Sequence, residues 1–270
     1  MSIEEECFLS PSISEWIAHH RSESVEWFKL AHRRNQLQQC WIKDLKVSDE
    51  DERAVMVALL YVRGLSNFQA AIILAERGLT GEARIIARSC FETAFYLGAL
   101  VDDPSFAVML KSDEAARKKK LAKSLLRQSD ILTDPDIART LQAYLDDLAA
   151  SGDESKQLDI YSAACAAAMK DIYEVYYRDL SNDGVHPSLS SLRRYIAVRE
   201  NGHVEGFRHG PDATDVRNAI MTACVAVIYV AQFGQHFFEW EDRDDAFKEC
   251  WETYKQLIEV ERSRIGGSQS

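Results

Sequence analysis

Residues 83–100 read ARIIARSCFETAFYLGAL, with apolar side chains at almost every position around a helical wheel. A helix of that kind is stable in water only when other elements enclose it on most sides. The chain must therefore supply a surrounding layer, and its remaining segments read as helices able to do so. Ile13, Trp16, Ile17, Val25, Phe28, Leu37 and Trp41 recur at helical spacing and predict a first helix from Ser12 or Ser14 to about Leu45. A second runs from a capping-box-like start at Ser48 and Asp51 to Arg77, with Gly78 as the glycine just past its end. Thr80 opens the third, which reaches about Val101. Further helices are expected over 113–128, from Asp134-Pro135 to near Gly152, and over 155–180. Two more run from Pro211-Asp212 to about Trp240 and from there to a tail beginning at Gly266.

Between them, Asn201-Gly202 flanked by two short alternating runs predicts a type I′ β-hairpin near 195–208. The fold class is all-α, a multi-helix bundle of about eight helices with one small β-hairpin. Only 5 prolines and 12 glycines interrupt the 270 residues, and most fall between the periodic segments. With neither a long linker nor an internal repeat to divide it, the chain reads as one domain, 1–270. The N-terminal helix, 12–45, is the one segment able to stand as a separate arm.

The net charge of -11 and pI near 5.2 oppose broad DNA binding, because phosphate backbones are repelled at long range. They leave room for RNA in a local cleft. Cysteines 7, 40, 90, 165, 224 and 250 form no CxxC pair; Cys90, Cys165 and Cys224 sit in apolar runs and read as buried, reduced thiols of a cytoplasmic protein. The N-terminus MSIEEECFLS lacks a signal peptide's basic flank, and the longest apolar run, Ala219–Ala231, falls short of the roughly 20 residues a bilayer needs. No membrane segment is expected, and that run reads as a core helix.

Neither GxGxxG, a P-loop, GxSxG nor HExxH is present, so no cofactor is expected. His19, His20 and His32 are read as lacking partner ligands at i+4, so no metal is expected either. Arg117-Lys118-Lys119-Lys120, with Lys123 and Arg127, follows Asp113 and Glu114 on one helix and reads as a solvated face. The aromatics from Phe233 to Tyr254 read as core or as a dimer seam.

Chemistry concentrates in two places. On the third helix Arg84, Arg88 and Glu92 stand at i, i+4 and i+8, a polar stripe on an otherwise apolar rod. Burying such groups is costly unless each is paired. The stripe is therefore either an internal lock or an arginine aimed into a cleft and held by Glu92. The second place is residues 176–188, where a Tyr- and Ala-rich helix ends and a turn presents His186 before Pro187. A histidine there suits general acid or base work near neutral pH.

These residues form the patterns Arg-Ser-x-x-Glu (88–92) and Tyr-x-x-Leu-Ser-x-x-x-x-His (177–186). Over about 50–240 the chain resembles an uncharacterised family of bacterial helical proteins with the same two patterns. More distantly it is similar to the HEPN superfamily, helical bundles of which many are metal-independent endoribonucleases in toxin–antitoxin or antiphage systems, often dimeric. That resemblance implies a homo-oligomer with an antitoxin or other protein partner.

It also implies an Arg and a His close in sequence, here Arg178 and His186, with seven residues between them, more than is usual in that superfamily. Either the loop is longer here, or Arg88 takes the phosphate-binding role, or the likeness ends at the fold. Under this reading His186 is the acid or base, Arg88 or Arg178 the clamp and Glu92 its support, while Arg84, Tyr177 and Ser181 bind substrate. The alternative is a non-catalytic interaction or ligand-sensing module, for a partner protein or a nucleotide, whose stripe is structural.

Overall fold

A computed structural model describes residues 3–128, 134–151, 155–184, 189–199, 201–240 and 244–267. In chain order its main helices are α1 (Ile13–Glu23), α2 (Val25–Asp44), α3 (Glu52–Glu76), α4 (Thr80–Asp102) and α5 (Phe106–Leu126). These are followed by α6 (Pro135–Ala150), α7 (Ile160–Ala166), α8 (residues 170–184), α9 (Val216–Phe238) and α10 (Asp244–Gly267). Strands β1 (Ile196–Val198) and β2 (Val204–Phe207) pair antiparallel, Ile196 opposite Phe207. The architecture is the expected all-α bundle with one small hairpin.

The apolar rod is α4, and it lies against both α3 and α9. Cys90, Phe91, Phe95, Leu97 and Leu100 are all fully buried on it. Close approach of α3 and α9 depends on Gly64, where an added Cβ would come within 2.7 Å of Val230 Cγ1. The orphan carbonyls at the end of α4 are satisfied from α3: Arg53 Nε donates to Leu100 O at 3.0 Å and its Nη2 to Val101 O at 2.6 Å. Gly78 ends α3 as expected, at φ 72°, with Leu79 N–H returning to Leu74 O at 3.0 Å. Asp134 caps α6 at the N–H of Asp136, with Pro135 in its first turn.

Several expectations need correction. The first helix is two, broken at Ser24, because Arg217 of α9 takes the freed carbonyl of Glu23 (2.6 Å) and the Ser24 hydroxyl (3.2 Å). The segment 155–180 is also split, between α7 and α8, by Ala168 at φ 53°. Asp51, accepting from Ala54 N–H at 2.9 Å, is the N-cap of α3, in place of Ser48. α5 begins at Phe106 rather than Asp113, because Phe106 is drawn into the core, and α10 runs to Gly267.

The hairpin does not close on the expected two-residue Asn201-Gly202 loop. Arg199 N–H bonds His203 O and Gly202 N–H bonds Arg199 O, both at 2.9 Å, with Gly202 at φ 82°. Cys165 is exposed, whereas Cys90, Cys224 and Cys250 are buried free thiols. Burial pushes the Cys224 thiol up to about 12. The run Ala219–Ala231 belongs to a longer helix, and both α3 and α9 are long and apolar enough to cross a membrane. In this fold α9 is a core helix, with Ile220, Ala223 and Val227 fully buried. Most of the C-terminal aromatics pack on the core, Trp41 stacking on Trp240 (5.3 Å) and Phe247 (6.3 Å), while Trp251 is exposed.

Candidate functional site

The two motif segments meet where α8 lies on α4. Met169 N–H bonds Ala164 O at 2.8 Å to close α7, and α8 then opens as an α-turn at Lys170–Ile172. It passes through a π-helical stretch at Tyr173–Tyr177 and resumes as α-helix over Arg178–Gly184. A π turn holds more residues per turn than an α turn and so rotates the side chains that follow. Its tyrosines pack on the rod: Tyr176 stacks on Phe91 at 5.7 Å, and Tyr177 meets Phe95 edge-on at 5.7 Å. Tyr177 is thereby buried, with its hydroxyl directed at the polar stripe.

There the Arg88 guanidinium is held on three sides. Nη1 pairs with Glu92 Oε1 on its own helix at 2.8 Å. From α8, Ser181 Oγ accepts from Nε at 3.0 Å, and Tyr177 Oη accepts from Nη2. The guanidinium also lies over the Tyr177 ring, Cζ 4.6 Å from its centroid, a cation–π contact. Ser181 donates its own proton to Tyr177 O at 2.8 Å, which turns an oxygen lone pair toward Arg88. Tyr177 Oη donates to Glu92 Oε1 at 2.8 Å, so one carboxylate oxygen receives both groups.

A guanidinium has five N–H donors. Among the described residues three are taken by Glu92, Tyr177 and Ser181. The Arg88 side chain remains 20% exposed and that of Glu92 25%, so the seam reaches solvent. Burial first, and then the hydrogen bond to Glu92, push the Tyr177 hydroxyl well above the usual tyrosine range; the Arg88 charge acts in the opposite direction.

One turn away, the buried Arg84 donates to Asp179 Oδ2 at 2.8 Å, a second link between the helices. The seam thus gathers Arg84, Arg88, Glu92, Tyr177 and Ser181, and adds Asp179, which the sequence reading did not place there. It does not include Arg178, whose guanidinium is 64% exposed and pairs with Glu174 at 2.6 Å. His186 lies outside the described residues.

In the basic cluster on α5, Arg117 pairs with Asp113 at 2.7 Å and Lys118 with Glu114 at 2.5 Å along the same helix, and both cations are more than half exposed. A hollow of about 670 Å³ opens at the start of α4, lined by Thr80 and Gly81 and by Arg194, Tyr195, Phe207 and Arg208 near and on the hairpin. Sequence reading missed it because the turn and strand that build it come more than a hundred residues after Gly81. The signal was present in Phe207, an apolar ring left 86% exposed beside Arg208.

Residues 54–204, more than half of the chain and the part holding α4, α8 and the whole seam, match the Family of unknown function (DUF5677). No curated protein and no solved structure matches the chain.

Proposed function

The chain belongs to the Family of unknown function (DUF5677), and from its own geometry we propose that the α4–α8 seam binds a phosphodiester of RNA and cleaves it without a metal. The observation that carries this reading is Arg88. It is fixed in place by Glu92, Tyr177 and Ser181, it is partly open to solvent, and two of its N–H donors are not engaged by described residues. A guanidinium fork oriented before the ligand arrives suits phosphate oxygens and stabilises charge that builds on them.

RNA brings its own nucleophile. In this proposal His186, five residues beyond Ser181 in sequence, takes the 2′-hydroxyl proton. The 2′-oxygen then bonds phosphorus while the P–O5′ bond breaks, and the departing 5′-oxygen takes a proton from water as the imidazolium returns its own to solvent, leaving a 2′,3′-cyclic phosphate and a 5′-hydroxyl. Arg88 faces the phosphate oxygens throughout. The hollow at the start of the same helix supports the reading with cations at Arg194 and Arg208 and stacking faces at Tyr195 and Phe207. Gly81 and Arg88 are seven residues apart, about 10 Å along one helix, within reach of a single strand. The resemblance to HEPN ribonucleases supports a homodimer in a defence or toxin–antitoxin setting, and the buried thiols Cys90, Cys224 and Cys250 support a reducing cytoplasm.

The test is cleavage of a labelled single-stranded RNA in excess chelator, with product ends identified. Cyclic-phosphate ends that disappear in His186→Ala, at unchanged Tm, are expected. Lack of cleavage by the wild type, or full activity in His186→Ala, rules the cleavage step out.

A second reading, an interaction module without catalysis, is favoured by one specific observation. Two donors of Arg88, those to Tyr177 and Ser181, together with the Arg84–Asp179 pair, are spent on joining α4 to α8. Under it Arg88→Lys destabilises the fold and leaves RNA unaffected.

A further inference from the structure

The last turns of α1 carry His19, His20 and Glu23. His19 and Glu23 are one helical turn apart and His20 is three residues before Glu23, so each histidine neighbours Glu23, and the two imidazole rings meet edge-on at 4.8 Å. Their donor atoms lie within 4.8 Å of one another. His20 Nδ1 is 3.0 Å from Glu23 Oε2, and His19 Nε2 is 3.8 Å from Glu23 Oε1. The sequence reading expected no metal because it found no ligand at i+4; Glu23 is that ligand for His19.

We infer that His19, His20 and Glu23 form a surface site for a divalent transition-metal ion of the zinc or nickel class. Two imidazoles and one carboxylate are the mixed nitrogen and oxygen set that such ions take, and water completes the coordination. Bonds of about 2.0–2.2 Å bring donors to roughly 3.4 Å from one another. His20 and Glu23 already stand near that separation, and His19, 71% exposed, closes the set by a rotation of its side chain.

The neighbours hold the site. The His20 ring packs on Trp16 at 4.2 Å, and Trp16 is wedged against Gly78, where an added Cβ would come within 2.6 Å of Cη2. The Glu23 carbonyl is fixed by Arg217 Nη2 at 2.6 Å. The C-terminal end of a helix carries the negative end of its dipole, which favours a cation there. Arg217 acts against the ion through its charge near the Glu23 carboxylate, so the site is a moderate binder rather than a structural zinc cage. The site lies on α1, before the family-matched residues 54–204, and shares no residue with the α4–α8 seam.

The experiment is calorimetric titration of the full chain with zinc chloride and, separately, nickel chloride, alongside ring nitrogen NMR of the histidines. One ion per chain is expected, with shifts at His19 and His20 and affinity at least about tenfold weaker in His19→Ala or Glu23→Gln. His19 is exposed, so its variant folds as the wild type does, and His236→Ala is the control that keeps binding. Absence of binding overturns the inference, as does binding that is unchanged in both His19→Ala and Glu23→Gln.

Discussion

Tyr177 donates its hydroxyl proton to Glu92 across the α4–α8 seam at 2.8 Å, although the two residues are 85 positions apart in sequence. The same Glu92 oxygen also takes Arg88. Hydroxyl, carboxylate and guanidinium therefore form one closed set, and each loses a partner when another is removed. A shared acceptor of this kind orients all three groups more strictly than three separate pairs would.

Tyr177→Phe deletes one donor to Glu92 and one acceptor for Arg88 while keeping the ring on Phe95. The expected loss is about 1–2 kcal/mol in urea unfolding at neutral pH. The pH dependence has a definite sign. The folded-state pKa of Tyr177 is raised above its ordinary value of 10.0. Its contribution is therefore complete below about pH 10 and is lost as pH rises further. The wild type should lose Tm above pH 10 more steeply than Tyr177→Phe, and parallel Tm curves for the two proteins would contradict this.

Arg88→Met leaves the Glu92 carboxylate, three-quarters covered, without its cation. A loss of about 1–3 kcal/mol is expected. The double variant Arg88→Met, Glu92→Leu should recover part of it, because no stranded charge remains. A double-mutant cycle measures this directly, and simple additivity would show that the pair is not coupled.

Much of this was legible in the sequence. The near-continuous apolar wheel of residues 83–100 implied an enclosed α4, and the i, i+4, i+8 spacing of Arg84, Arg88 and Glu92 implied a shared face. What could not be read was the partner face. The π-helical stretch at Tyr173–Tyr177 has no pattern of its own, yet it sets which way Tyr177, Asp179 and Ser181 point. Arg178 looked equivalent to Arg88 as a cation near the motif, but helical geometry turns it to Glu174 on the outside. The break at Ser24 was equally hidden, since Arg217, which stabilises it, arrives 193 residues later.

Ala168 adopts φ 53°, a region in which a Cβ is strained, at the junction where α7 ends before α8. Ala168→Gly removes that strain. A gain of about 0.5–1 kcal/mol is expected, seen as a Tm rise of about 1–4 °C. A lower Tm would show that this turn is not limiting.

Arg34 is 1% exposed, and its Nε and Nη2 meet no acceptor among the described residues. Its guanidinium lies 5.8 Å from the Phe247 ring centroid, and burial lowers its pKa. Arg34→Met should be stabilising by about 1–2 kcal/mol in chemical unfolding, because a poorly paired charge is replaced by apolar packing of similar size. A loss of more than about 1 kcal/mol would mean that Arg34 is paired after all.

The most direct test of the central claim is the affinity of a 2′-O-methyl RNA decamer, which binds but cannot be cleaved, for the wild type and for Arg88→Lys by fluorescence anisotropy. Lysine keeps the charge and loses the fork. If Arg88 presents its remaining N–H donors to a phosphate, binding weakens by at least about tenfold while the circular dichroism spectrum is unchanged. Equal affinity in the two proteins would contradict the account.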